Sequence, residues 1–407
     1  MTTFFVRRSV EKAFQLDESP TGLTLHPLKP LRSDPPYITS AVDDIMYIVN
    51  KVLQQSLATS QLGVVTNVVP TLARVLGSDF IGMTQRKMRD ECYPRAVIPG
   101  GQPPESTTIA FLVQTNNLDV AVDYMRRIVA KNSETRPSTN GSDTADPGLT
   151  SQLESLFPAP GEAKLVAQAM HNLSSSFESK ITDLLSDGVQ VIFNNVIKHR
   201  LRPILADAFR DIEYQPQTSP DETNPDGTPT TPDDPDDPDD PHSHHHNHPA
   251  AAAAASTATG KTELVRPRFA TAWTDLLTPL SRIMTPSTFD RLLTLTCTYL
   301  SRLLEKRLWA YHGRVNPLGA TRLERDVAGV VNAAVDVAAG GSSSSGGLGG
   351  GRYRHRETFG RCLQMVLVMG MDEEEWEDVV RGGETGEVVD RLSAEERVRV
   401  RGMVRRW

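Results

Sequence analysis

Apolar residues recur at every third and fourth position in each long segment of this 407-residue chain, and that period admits one kind of element. The stretch from Thr39 to Ser60, TSAVDDIMYIVNKVLQQSLATS, shows it most clearly. Val42, Ile45, Met46, Val49, Val52, Leu53 and Leu57 form one stripe along a helix, while Asn50, Lys51, Gln54 and Gln55 fill the opposite side. The stripe is wider than the seam of a two-stranded coiled coil, so this helix must pack among several others. Ser40 is the expected cap, and Asp43 and Asp44 stand where the positive end of the helix dipole favours acid.

The same rhythm predicts further helices over Phe4 to Leu16, Leu62 to Asp90 (kinked or divided at Pro70) and Glu105 to Lys131. It returns over Leu165 to Lys198 and again from Phe269 to Leu280. Thr285-Pro286 opens a strong helix to Trp309, Asn316-Pro317-Leu318-Gly319 turns the chain, and Leu323 to Val335 come back along a second helix. A last module of three short helices follows, around Phe359 to Met369, from Asp372 and from Ser393. No useful length alternates with a period of two, so the expected class is all-α. Phe4, Phe5 and Val6 are apolar with no cap before them, which reads as a chain opening inside a fold whose earlier part is missing.

Three stretches cannot build a core: Ser133 to Gly148, Gln215 to Thr262 with its PDD units, histidines and alanines, and the Gly/Ser stretch Ala339 to Arg352. They divide the chain into helical regions at 1–132, 149–214 and 263–338 and a small C-terminal helical module at 353–407, separated by inserts at 133–148, 215–262 and 339–352. The net charge of -8 comes from one of these inserts, because Asp221 to Asp240 holds nine acids and no base. Without that run, the 43 Lys and Arg face 42 of the 51 Asp and Glu, so charge gives no argument for nucleic acid. Cys92, Cys297 and Cys362 lack paired spacing and read as reduced core thiols. The N-terminus lacks the apolar run of a signal peptide and nowhere do 18 apolar residues follow one another, so the chain is expected neither to enter nor to span a membrane by itself.

Few residues point to chemistry. Ala255 to Thr262, ASTATGKT, nearly matches a phosphate loop ending in Lys261, but that loop needs a buried strand before it and a helix after it, and alanines precede it here. His242, His244, His245, His246 and His248 have metal-binding side chains without the fixed geometry of a working site. His312 and His355 are isolated, and no nucleophile, base and orienting acid group together. We therefore expect no catalytic residue, no cofactor and no metal. Asp372 to Asp378 reads as the dipole-favoured start of a helix. Arg397, Arg399, Arg401, Arg405 and Arg406 read as a solvated face answering that acidic helix, in preference to a membrane-lying face.

One charged residue stands out. Arg361 lies in FGRCLQMVLVM, where nearly all neighbours are apolar, so its guanidinium needs an acid partner. Glu396 is the candidate, although Ser393-Ala394-Glu395-Glu396 also reads as a capping box; one carboxylate can serve both roles. The expected site is thus a structural ion pair.

Five blocks carry a resemblance: FFVRRSVEKAFQLDE, SAVDDIMYIVNKVLQQSLATS, FLVQTNN at Phe111 to Asn117, NPLGATRLERDVAGVV and FGRCLQM. In these blocks and their order, interrupted by the three polar inserts, the chain resembles the C-terminal half of the family of subunit 4 of the conserved oligomeric Golgi complex. The resemblance implies an elongated stack of helical bundles of the tethering-complex type, without catalysis. It further implies retrograde intra-Golgi transport, contacts with the other subunits and with SNARE proteins and their regulators, and indirect membrane association on the cytosolic face of the Golgi. It also implies an arginine and an acid placed like Arg361 and Glu396. The family's N-terminal coiled-coil helices lie outside this chain, and the acidic His-rich insert lies outside the family pattern. A generic helical scaffold is the alternative, with a phosphate-loop enzyme using Lys261 or a metal enzyme using the His tract behind it.

Overall fold

The computed structural model describes residues 2–98, 101–133, 152–215, 264–340, 350–382 and 388–405, and among these it is all-α. The three inserts fall wholly or mostly outside the described residues, and so do the phosphate-loop-like sequence and the His tract. At the Gly/Ser stretch, helices run to Gly340 and resume at Gly350, inside the expected linker bounds. The chain forms two compact units, each drawn from separated stretches: residues 1–203, 273–300 and 335–355 in the first, 204–272, 301–334 and 356–407 in the second.

The first unit is built on α1 (Thr2–Gln15), α2 (Ser40–Ala58), α3 (Leu62–Val75), α4 (Gly82–Arg86), α5 (Glu105–Ser133), α6 (Gln152–Leu156) and α7 (Glu162–Ile192). α5 packs on α7 and α2, α3 packs on α7, and α1 closes over α2 and α3. Every apolar residue expected on the stripe of α2 is buried. Phe14, Phe80 and Phe177 carry the core across the helices, with ring centroids 6.1 Å apart at each step. Burying each such side chain fully contributes about 1.5–3 kcal/mol.

Helix ends and breaks differ in places from the sequence expectation. Pro70 does not divide its helix; the helical run continues from Leu62 to Glu91, with π-helical turns at Leu76–Ile81 and Lys87–Glu91. Pro70 faces solvent, which hydrates the carbonyl that its missing N–H leaves free. This run is long and apolar enough by composition to cross a membrane, yet Val65, Val68, Val69, Leu72 and Val75 are buried within the unit, as in a core helix. The helix expected to end at Lys198 instead passes through a π-helical turn, Phe193–Ile197, into α8 (Lys198–Ala208), across the exposed Pro203.

Ser40 does not cap α2. It is the first helical residue, and its hydroxyl accepts from the Glu18 N–H. The free N–H of Ala41 donates instead to the Asp17 carboxylate, which also pairs with Lys87. Thr39 precedes the helix, and its backbone N–H donates to Asn117 Oδ1 at 2.9 Å while Asn117 Nδ2 returns a bond to Thr39 Oγ1.

Those bonds belong to a buried polar joint. Phe111 to Leu118 on α5 are buried on every side, and the polar Gln114, Thr115, Asn116 and Asn117 lie among them. Asn116, 0 % exposed, donates to the carbonyls of Tyr37 (3.0 Å) and Ile283 (2.8 Å) and accepts from the Thr285 N–H (3.0 Å). Ile283 ends α9 (Val265–Ile283), and Pro286 begins α10 (Pro286–Trp309). Two adjacent amides on one helix therefore hold the starts of α2 and α10 and the end of α9. The proline-rich connection before α2 is held the same way: Arg282 donates to the carbonyls of His26, Pro27 and Lys29, and Glu105 accepts from Thr24 and Leu25.

In the second unit, α11 (Pro317–Gly340) starts at the expected turn. Asn316 Oδ1 accepts from the Gly319 N–H at 2.7 Å, and the Asn316 N–H donates to the Tyr214 carbonyl. A Cβ at position 319 would lie 1.7 Å from that carbonyl oxygen, so the turn requires glycine there. The Tyr214 hydroxyl donates to the buried Asp326 at 2.7 Å; burial, and then that carboxylate, push its phenol pKa up.

Replacing Asn116 with Leu removes the partners of two carbonyls and one N–H in a dry interior, each costing about 1–3 kcal/mol. We expect Asn116→Leu to lower unfolding stability by roughly 3 kcal/mol in chemical denaturation of the full chain. A loss under about 1 kcal/mol contradicts the joint.

Candidate functional site

The terminal module consists of α12 (Gly350–Glu357), α13 (Gly360–Gly370), α14 (Glu373–Arg381) and α15 (Ala394–Arg401). Residues from 356 onward belong to the second unit. Arg361 lies in the first turn of α13, where the helix dipole disfavours a cation. Carboxylates offset this. Arg361 Nε donates to Glu305 Oε1 of α10 at 2.8 Å, its two terminal nitrogens meet both oxygens of Glu396, and Nη1 also reaches the Arg391 carbonyl at 3.2 Å. The structure thus brings Arg361 and Glu396 together, half-buried, and adds Glu305 from a distant helix.

Glu396 serves the cap at the same time. Its Oε2 accepts from the Ser393 N–H at 2.9 Å and the Ser393 hydroxyl accepts from the Glu396 N–H. The Arg361 guanidinium, then the Ser393 N–H, hold the Glu396 carboxyl down to about 2. The same pairing, with Glu396 first and Glu305 second, raises Arg361. The loop before α15 is fixed by Gln364, which donates to the Val388 carbonyl and Asp390 and accepts from the Arg391 N–H. α13 packs on α15 across this arrangement.

The acidic helix begins at a full capping box, Asp372 with Glu375. The basic helix is not simply a solvated face. Arg401 is only 8 % exposed; it donates to the carbonyl of Met371, just past the end of α13, and to that of Asp372, which caps α14, meets Glu373, and lies over the Trp376 ring. A cation at the Met371 carbonyl answers the negative end of α13. Arg399 lies over Trp309, 4.7 Å from its ring centroid. Arg406 falls outside the described residues.

The remaining candidates are spent on packing. His355, in the first unit, is buried, not isolated: its Nε2 and Asp290 Oδ1 are 2.9 Å apart, and Arg354 pairs with the same Asp290. Cys297 and Cys362 are buried and their thiols are pushed up to about 12 by desolvation. Cys92 is half-buried, not a core thiol, and it too is raised by burial. Among the described residues no three His, Cys, Asp or Glu side chains group as metal ligands. Arg361 ties α10, α13 and the start of α15 together through Glu305 and Glu396, so the cluster fastens helices.

Sequence reasoning missed Glu305 and Arg401. Glu305 comes from a helix 56 residues away, and nothing local distinguishes it from other acids on an amphipathic face. The apolar Val400 and Met403 around Arg401 were the available signal that it, too, is buried.

Comparisons with known proteins bear on the whole chain. The family model described as "Conserved oligomeric Golgi complex subunit 4, C-terminal" matches residues 111–399, and "COG4 transport protein, middle alpha-helical bundle" matches residues 1–88. The chain is similar to the conserved oligomeric Golgi complex subunit 4 of Arabidopsis thaliana, with 26% identity over 213 residues, 52% of this chain and 24% of the relative. The subunit of the same name from Schizosaccharomyces pombe is 22% identical over 224 residues, 53% of this chain and 26% of the relative. That from Saccharomyces cerevisiae is 26% identical over 143 residues, 33% of this chain and 14% of the relative. The chain therefore matches about a quarter or less of the length of these relatives. No solved structure matches it.

Two outcomes test the cluster. Arg361→Trp leaves Glu305 and Glu396 without their cation and adds bulk; hydrogen exchange should accelerate across residues 388–405 in the full chain, with a stability loss of roughly 2 kcal/mol. Unchanged exchange there refutes the fastening role. Because the folded Glu396 pKa lies below its ordinary 4.5, its stabilisation is complete above about pH 4.5 and is lost as pH falls toward 2. Glu396→Gln should flatten the acid limb of an unfolding-versus-pH curve, and a limb identical to wild type contradicts the assignment.

Proposed function

The chain belongs to the family of conserved oligomeric Golgi complex subunit 4, and on that basis we propose that it works as part of a Golgi vesicle-tethering complex. In this reading it acts in retrograde intra-Golgi transport through protein–protein contacts and without catalysis. The observation that carries the proposal is the family match over residues 111–399, which begins at the buried FLVQTNN joint and ends within the arginine-rich last helix. The chemistry of the described residues supports it: the Glu396 carboxylate is taken by Arg361 and the Ser393 N–H, and the buried Cys297 and Cys362 thiols are held protonated.

The partners proposed are the other subunits of the complex, together with SNARE proteins and their regulators. Membrane association is proposed to be indirect, through the complex, on the cytosolic face of the Golgi. The run Leu62–Glu91 supports an indirect association, since its apolar face is used in the first unit.

The test is affinity purification of the tagged chain from cell extract, read by mass spectrometry, beside an N-terminally extended version spanning the length of the relatives. We expect the extended version to recover other subunits of the complex. Recovery by neither version contradicts the proposal and favours a generic helical scaffold.

A further inference from the structure

A groove of about 240 Å³ runs between α2 and α5 in the first unit, lined by Met46, Tyr47, Asn50, Tyr124 and Ile128. The two helices run in the same direction along it, since Thr39 meets Asn117 and, further along both, Asp43 meets Tyr124. Its floor is apolar and aromatic. Tyr47 is 65 % exposed there, and the Asn50 amide oxygen has no hydrogen-bond partner. Helices that pack side by side leave a furrow of this kind, into which the apolar ridge of a third helix fits.

Charge makes the groove directional. At the C-terminal end of the pair stand Arg127 and Lys131, and Lys51 lies over the Tyr47 ring. Neither Arg127 nor Lys131 makes an ion pair among the described residues, in contrast to Arg126 beside them, which is taken by Glu178 and Asp123. The opposite end carries Asp43, bound to the Tyr124 hydroxyl at 2.8 Å, with Asp44 next to it on α2. An anionic lipid surface meets repulsion at that acidic end; a single helix with one acidic end does not.

We propose that the α2–α5 groove docks an amphipathic helix of a partner protein, apolar on the face that enters and acidic at the end lying against Arg127 and Lys131. The proposal rests on the reading that this chain acts through protein contacts.

The probe is a synthetic amphipathic peptide of about 20 residues, with leucines at three-and-four spacing and glutamates confined to one end. Its counterpart carries lysines in their place. Binding to the full chain is followed by fluorescence anisotropy, alongside the double variant Arg127→Glu, Lys131→Glu; both positions are exposed, and circular dichroism checks that the fold is kept. We expect the acidic peptide to bind the wild-type chain, to weaken by roughly tenfold or more on the charge-reversed variant, and the lysine peptide to show the converse preference. Equal binding of both peptides, or no effect of the reversal, overturns the proposal. Sedimentation with phosphatidylserine vesicles that the reversal abolishes, without peptide binding, overturns it in favour of a membrane surface. A concentration-dependent dimer abolished by Tyr47→Glu overturns it in favour of a second copy of this chain. Failure of the peptide while other complex subunits still co-purify refutes the groove and leaves the tether reading standing.

Discussion

The first unit depends on two adjacent amides in the middle of α5. A helix buried on every side normally carries apolar side chains throughout, because a polar group taken out of water without a partner costs several kcal/mol. Asn116 and Asn117 are buried yet fully engaged: both N–H donors of Asn116 and its oxygen are used, and Asn117 bonds Thr39 through backbone and side chain. Their partners are backbone groups at helix ends and in a connection without secondary structure of its own, which no ladder of regular bonds reaches. Hydrophobic burial brings the helices together; the amides select which ends meet.

Side chains that serve stray backbone groups recur in each unit. Arg282 answers three carbonyls of the proline-rich connection, and Asp17 answers an N–H at the start of α2. In the second unit Arg401 answers the end of α13, Asn316 answers Gly319, and Glu396 answers Ser393 while holding Arg361. Arginine suits this task because its planar fork spreads several donors over one small area. The charged residues named here are committed to architecture, which fits a subunit whose proposed work is to hold other proteins.

Much of this was legible in the sequence. The apolar period gave the helices and the inward stripe of α2, and Asn-Pro-Leu-Gly gave the start of α11. Ser393 with Glu396 gave a cap whose pattern lies within four residues. What escaped reading depends on groups distant in sequence. Ser40 looked like a cap, but Asp17 fills that role because the connection folds back beside it. Glu305 joins Arg361 only through the fold, and His355, isolated along the chain, is buried against Asp290. Pro70 read as a kink or a break, yet it lies on a solvent-facing side of a continuing helix, where water hydrates the unpaired carbonyl. FLVQTNN was legible as a block of resemblance but not as a joint, because the carbonyls it serves belong to residues Tyr37 and Ile283.

The central claim is that the amides of α5 hold helix ends in the folded interior, and native-state hydrogen exchange at Thr39 and Thr285 tests it most directly. Both N–H groups lie at helix starts, positions that ordinarily fray and exchange through small local openings. The account predicts that they exchange only as slowly as the core amides of α5, following the global opening of the unit across a denaturant series. Fast exchange at both positions, independent of denaturant while the α5 core stays protected, would contradict it.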